Sequence, residues 1–285
     1  MKRAIIFLLA ISLLCPDVLH GRGQDIDSLA FCNAEWQITG LGKGAQAMYA
    51  VIPMFHSTQS ICVIKYPAKK FRTSLVDRSA GKATITSLVG EETGACMAIN
   101  AGYFNMKSLI PTVYCRIDTV VYGRTQARET YRVNGVVGFN DEKGSKMFIA
   151  YCDTTQYDAV CKDWHSVIAT GPVLMTDGKI RVPVAKGKSG FYNNRHPRTT
   201  IGSDSKGNIY LVVIDGRFEG QGDGASIYET AQISRMLGMT QAINLDGGGS
   251  SALWSRKTGI INHPSDNRTW DHKGERSVPN FIVVH

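Results

Sequence analysis

One stretch near the C-terminus constrains the fold more than any other. The apolar run 209–214 ends at Asp215, and the glycine-rich segment "GRFEGQGDGA" follows. "SIYETAQISRMLG" then reads as a helix: Ser226 and Glu229 have the spacing of a capping box, and Gly238 supplies a C-terminal stop. A second apolar run, 242–245, ends at Asp246 and runs into Gly247, Gly248, Gly249 and Ser250. Strand, helix, strand of this length is a crossover unit, normally right-handed with parallel strands. Asp215 and Asp246 are therefore expected side by side on one carboxyl edge, where ligands of open α/β sheets gather.

Three consecutive glycines surrender much backbone freedom on folding, so the chain there must bend sharply or let something come very close. "GGGSSA" formally fits a dinucleotide fingerprint, but "LWSRKTG" reaches another glycine too soon for the helix that fingerprint needs. No Gly-Lys-Ser/Thr closes a phosphate loop either. Two readings are left: a nest of backbone N–H groups for an anion, or a tight structural turn. "AINAGYFN" (98–105) echoes the pattern and would bring Asn100 to the same rim. Asp215 and Asp246 are then either Asx turns or the paired carboxylates of acid–base or glycosyl-transfer chemistry. Arg198 and Arg217 flank the strand pair and could grip a phosphate bidentately, and His196 is a nearby acid–base candidate. The capping box alone accounts for Glu229.

Elsewhere the chain reads as hairpins. Turn dipeptides Asn134-Gly135 and Asp177-Gly178 and turns near Gly144 and Lys206-Gly207 separate apolar or alternating runs, and a short helix is expected over 84–92. The fold class is therefore α+β: a mixed sheet with a parallel strand-helix-strand unit near the C-terminus and hairpin-rich N-terminal two thirds. Lys2 and Arg3 followed by an apolar run to Leu14 form an export signal, residues 1–23, ahead of one domain over 24–285. Cys15 offers a lipid-anchor site that bulky Leu14 argues against. Signal removal lowers the formal charge from +8 to +6, with no basic block suited to nucleic acid and no membrane-spanning segment left. The place expected is periplasm, cell surface or medium. Six cysteines remain, of which Cys152 and Cys161 are the best-placed pair, close in sequence and flanking a polar turn.

Taken in order, "AINAGYFN", "TGPVLMTDG", "PRTTIG", "LVVIDGR", "GASIYETAQISRMLG", "AINLDGGGSSALW" and the closing "VPNFIVVH" resemble the phosphodiester glycosidase family over roughly residues 80–285. The resemblance implies hydrolysis of a sugar joined through its anomeric carbon to a phosphodiester, N-acetylglucosamine being such a sugar. Residue by residue it implies site roles for Asn100, Gly102 and Phe104, for Arg198 and Thr199, for Asp215 and Gly216, for Glu229, and for Asp246 through Ser250. Ala101 and Tyr103 stand where Gly and Phe are common. The EGF-like and membrane-spanning parts of the animal enzyme have no counterpart here, so an exported bacterial relative acting on envelope or environmental glycans is expected.

On this reading Asp215, Asp246 and Glu229 supply acid, base or nucleophile. Asn100, Gly102, Tyr103, Phe104, Arg198, Thr199, Gly216, Arg217, Gly247, Gly248, Gly249 and Ser250 hold a sugar-phosphate or glycan. Asp215 and Asp246 could also share a divalent cation. A metal-dependent phosphodiesterase and a non-catalytic envelope glycan-binding protein stay open as alternatives.

Overall fold

Residues 209–214, Ile-Tyr-Leu-Val-Val-Ile, are buried without a break, as in a strand covered on both faces. Period-two alternation divides them. Ile209, Leu211 and Val213 enter one hydrophobic core, while Tyr210, Val212 and Ile214 enter another. The computed structural model describes residues 26–79, 81–144 and 146–285, and the expected export signal and Cys15 lie outside the described residues.

The strand belongs to an eight-stranded sheet. Its spatial order is β1 (Gln37–Gly42), β2 (Ala45–Met54), β3 (Ser57–Pro67), β14 (Asn208–Ile214), β13 (Arg198–Ser203), β15 (Gln241–Asn244), β11 (Val173–Thr176) and β12 (Lys179–Ile180). A second sheet runs β7 (Val120–Gly123), β6 (Cys115–Ile117), β10 (Ser166–Thr170), β8 (Gly135–Phe139) and β9 (Met147–Tyr151). The third runs β17 (Gly259–Ile260), β16 (Leu253–Ser255), β5 (Met97–Asn100), β18 (Asn280–Val284) and β4 (Thr73–Asp77). Five short α-helices complete the set among the described residues: α1 (Ile26–Cys32), α2 (Thr86–Glu92), α3 (Tyr157–Cys161), α4 (Gly190–Asn193) and α5 (Ile227–Met236). The larger core fills the space where the three sheets face one another, and α5 seals the other face of the big sheet through Ile227, Ala231 and Ile233. The protein is thus mainly β, with helices on its outer faces.

The expected mixed sheet is corrected. Every strand pairing among the described residues is antiparallel. β14 and β15 do not pair with each other, because β13 lies between them and runs antiparallel to both. The α5 crossover therefore skips one strand. Both strands still point the same way, so Asp215 and Asp246 leave one edge of the sheet with the start of β13 between them.

Local signals fared well where a hydrogen bond enforces them. Ser226 Oγ accepts from Glu229 N while Glu229 Oε2 accepts from Ser226 N, closing the capping box. Gly238 follows with φ of 85°. The hairpins at Asp177-Gly178 and Lys206-Gly207 form. Asn134-Gly135 is no hairpin turn: Asn134 Oδ1 instead accepts from Val173 N, tying the start of β8 to β11. Cys152 and Cys161 come together in the core as thiols beside Tyr157, and burial together with Cys152 pushes Cys161 up to about 12.

Candidate functional site

The edge where β14 and β15 end is closed by a strand end from a different sheet. β5 belongs to the third sheet, yet Asn100 at its end donates Nδ2–H to the carbonyl of Asp246 (2.6 Å) and accepts from Thr199 Oγ1 and Ala252 N. Asp246 N donates to Ala101 O (2.8 Å), so the backbone of Asp246 is pinned from both sides of its peptide. Asn100 and Thr199 are fully buried and brace the three strand ends. Tyr103, also buried, donates its hydroxyl to Gly171 O and carries the Arg132 guanidinium 3.7 Å above its ring. Gly102 N donates to Asn280 Oδ1.

With its main chain fixed, the carboxyl of Asp246 feels the charges of residues that line two openings, Arg276 of one and Arg132 and Glu129 of the other. One, about 300 Å³, is lined by Arg217, Phe218, Ser265, Asp266, Arg268 and Arg276. The other, about 460 Å³, is lined by Phe104, Met106, Lys107, Glu129, Tyr131 and Arg132 among others. Arg276 touches Met106 Sδ (3.6 Å) and so stands at the boundary of the two. Burial raises the pKa of Asp246 to about 6, against a hydrogen bond from Ser250 and the charges of Arg132 and Arg276, with Glu129 adding to the rise. A carboxyl poised near neutrality and flanked by cations can exchange a proton with a reacting group.

Asp215 behaves differently. It is buried, and both its oxygens are occupied: Oδ2 accepts from Ser60 Oγ (2.7 Å) and His263 Nδ1 (3.1 Å), Oδ1 from His263 N (2.9 Å) and Asn262 Nδ2 (3.1 Å). A cation shared with Asp246 would have to displace these donors. His263 lies flat on Trp270, with ring centroids 3.7 Å apart.

Two further expectations are corrected by the partners these side chains take. Glu229 spends its carboxylate on the capping box and on Arg195 (2.7 Å), away from the openings. Arg198 is buried and donates to the carbonyls of Ala225, Phe191 and Asn194, so it braces the main chain instead of facing a ligand, and burial pulls its pKa down to about 10. His196 lines up as backbone, paired with Ala225, and burial lowers its pKa.

The glycine run answers its own question by packing. A Cβ on Gly247 would meet Pro197 O at 2.5 Å, one on Gly216 would meet Pro197 N at 2.6 Å, and one on Gly249 would overlap the Arg276 guanidinium. Gly248 sits at φ 64° under the Arg217 guanidinium. Three N–H groups of the loop are already taken: those of Gly248, Ser250 and Ser251 donate to Pro197 O, Gly247 O and Gly248 O. Its cost is repaid by letting two arginines lie on the backbone beside Asp246. Arg276, Arg268, Arg132, Glu129 and His263 escaped sequence reasoning. None of them lies in a regular strand or α-helix, and their meeting around the strand ends depends on how the loops fold.

Fold and site together define a β-rich protein with a carboxyl of raised pKa near an arginine-lined opening and a second opening of mixed aromatic and charged lining. The chain belongs to the phosphodiester glycosidase family, whose model matches residues 93–285. It is 35% identical over 100 residues to N-acetylglucosamine-1-phosphodiester alpha-N-acetylglucosaminidase of Homo sapiens and 34% identical over 100 residues to that of Mus musculus. Each match covers 34% of this chain, and it spans only 18% of the relative's length. In fold it is similar to the catalytic domain of the zebrafish enzyme of that name, auto-inhibited by its pro-peptide (TM-score 0.66, 16% identity, 88% of each chain). It is also similar to a hypothetical protein from Synechocystis (TM-score 0.65, 15% identity, 88% of this chain and 63% of the other).

Proposed function

We propose that this protein hydrolyses a sugar-1-phosphodiester, N-acetylglucosamine being the sugar its relatives' names point to, and that it acts after export. The observation that carries the reading is Asp246, with its pKa near 6, coupled to Arg276 of one opening and to Arg132 and Glu129 of another that also offers Phe104 and Tyr131. Arg217 and Arg276 hold the phosphate and take up its charge as the bond to the anomeric carbon breaks. Phe104 and Tyr131 offer faces to the sugar. A phosphate is a stable leaving anion, so the demanding proton transfer is from the attacking water. Asp246 is its general base, deprotonated above pH about 6. Activity then rises as pH climbs through that value.

The bond cleaved tests the reading. In oxygen-18 water, attack at carbon puts the label in the sugar, and attack at phosphorus puts it in the phosphate. Mass spectrometry of both products, before the free sugar exchanges, should find it in the sugar. Label in the phosphate would overturn the proposal in favour of a phosphodiesterase.

Gly248→Val tests the arginine shelf. A β-branched residue at φ 64° is strained, and its Cβ would stand 3.0 Å from the Arg217 guanidinium, forcing it aside. Inorganic phosphate should bind about ten-fold more weakly by calorimetry. Unchanged affinity would detach the loop from binding.

A further inference from the structure

The arginine opening holds three arginines and one lining carboxylate, so two of its arginines have no acidic partner in the lining. Of its three arginines, Arg276 is paired with Asp266 through Nε at 2.9 Å. Arg217 and Arg268 form no ion pair among the described residues, and Arg217 has only Ser265 Oγ at 3.3 Å. Both adopt left-handed backbone, φ 74° and 59°, which non-glycine residues avoid at a cost of about 1 kcal/mol or more. Partial burial first, then repulsion from Arg276, holds the pKa of Arg217 below its ordinary value; Asp266 opposes the shift and Arg268 adds to the repulsion. Arg217 and Arg268 are both solvent-exposed, and like charges gathered around about 300 Å³ of open space favour an anion with more than one charge. A diester phosphate is singly charged and fills only part of such a space.

We infer that the leaving group carries a second phosphoryl group, the first lying over Gly248 and Gly249 between Arg217 and Arg276 and the second reaching outward to Arg268. This rests on the phosphodiester reading and narrows its substrate class to sugars whose anomeric phosphate bears, directly or across a short spacer, another phosphate. The bond account is unchanged. Water oxygen bonds to the anomeric carbon, and the carbon–oxygen bond to the first phosphate breaks. Its electron pair leaves on that phosphate, which departs with the second still attached, while the water proton passes to Asp246.

Calorimetry on the full chain tests it with three probes: inorganic phosphate, inorganic pyrophosphate and 1,3-propanediol bisphosphate. At least one two-phosphate probe should bind about ten-fold or more tighter than phosphate, and the tighter of the two tells whether the groups are joined directly or across a spacer. Arg268 is exposed, so Arg268→Gln keeps the fold. It should cost the two-phosphate probe about ten-fold and phosphate less than about two-fold. Equal binding of all three probes, or equal losses for all three in Arg268→Gln, would overturn the inference. Turnover of a simple sugar-1-phosphodiester is measured separately: its absence beside tight two-phosphate binding would sink the glycosidase reading alone.

Discussion

Asp246→Asn should abolish most turnover, by about 10²- to 10⁴-fold as for loss of a general base, while the fold stays intact. Its backbone bonds to Asn100 and Ala101 do not involve the carboxyl. The same substitution should stabilise the protein at neutral pH. The folded-state pKa of Asp246 is about 6, above its ordinary value of 3.8, so the native state binds the proton more tightly than the unfolded chain. The carboxyl therefore costs nothing below pH about 4, and the cost grows through pH about 4 to 6. Above that it amounts to about 3 kcal/mol at most. Thermal melts at pH 4 and pH 8 should show the variant gaining only at the higher pH. A pH-independent difference would refute the perturbed carboxyl, and full activity would remove Asp246 from the chemistry.

Asp215→Ala should have the opposite character. Four donors, from Ser60, Asn262 and His263, would be left buried without an acceptor. The expected loss is about 3–5 kcal/mol of unfolding free energy, read by urea denaturation. Asp215→Asn should be little better, since its amide would present N–H where Ser60 or His263 also donates. A loss below about 1 kcal/mol would mean that this network holds nothing together. The two aspartates at one sheet edge thus separate by what surrounds them: one is a scaffold saturated with donors, the other a carboxyl whose pKa burial raises beside Ser250, Arg132 and Arg276.

That separation was beyond the sequence, where Asp215-Gly216 and Asp246-Gly247 look alike. What could be read was local. The capping box at Ser226, the hairpin at Asp177-Gly178 and the strand ends at Asn100, Asp215 and Asp246 are each set by neighbours within a few residues. The parallel pairing failed because β13, entering between β14 and β15, is fixed by long-range registry that no short window contains. Arg198 failed for a related reason. An arginine beside a strand looks like a ligand clamp until the carbonyls of Phe191, Asn194 and Ala225 fold around it. The arginines that do line the opening come from 217 and from 268–276, a segment whose path over the glycine loop is decided by tertiary packing.

The bond from Ser60 to Asp215 has a bearing on modularity. The recognisable family stretch begins at residue 93, yet β3 lies against β14 along its whole length, and its first residues clasp the loop after Asp215. Thr58 N reaches Asp223 Oδ2 at 2.6 Å, and Gln59 Nε2 reaches Gly224 O at 2.8 Å. A chimera that exchanged only the recognisable stretch would graft one half of a clasp onto a foreign strand. For recombination, then, the heritable unit of this site includes the β2–β3 hairpin, and the boundary drawn by similarity falls inside it.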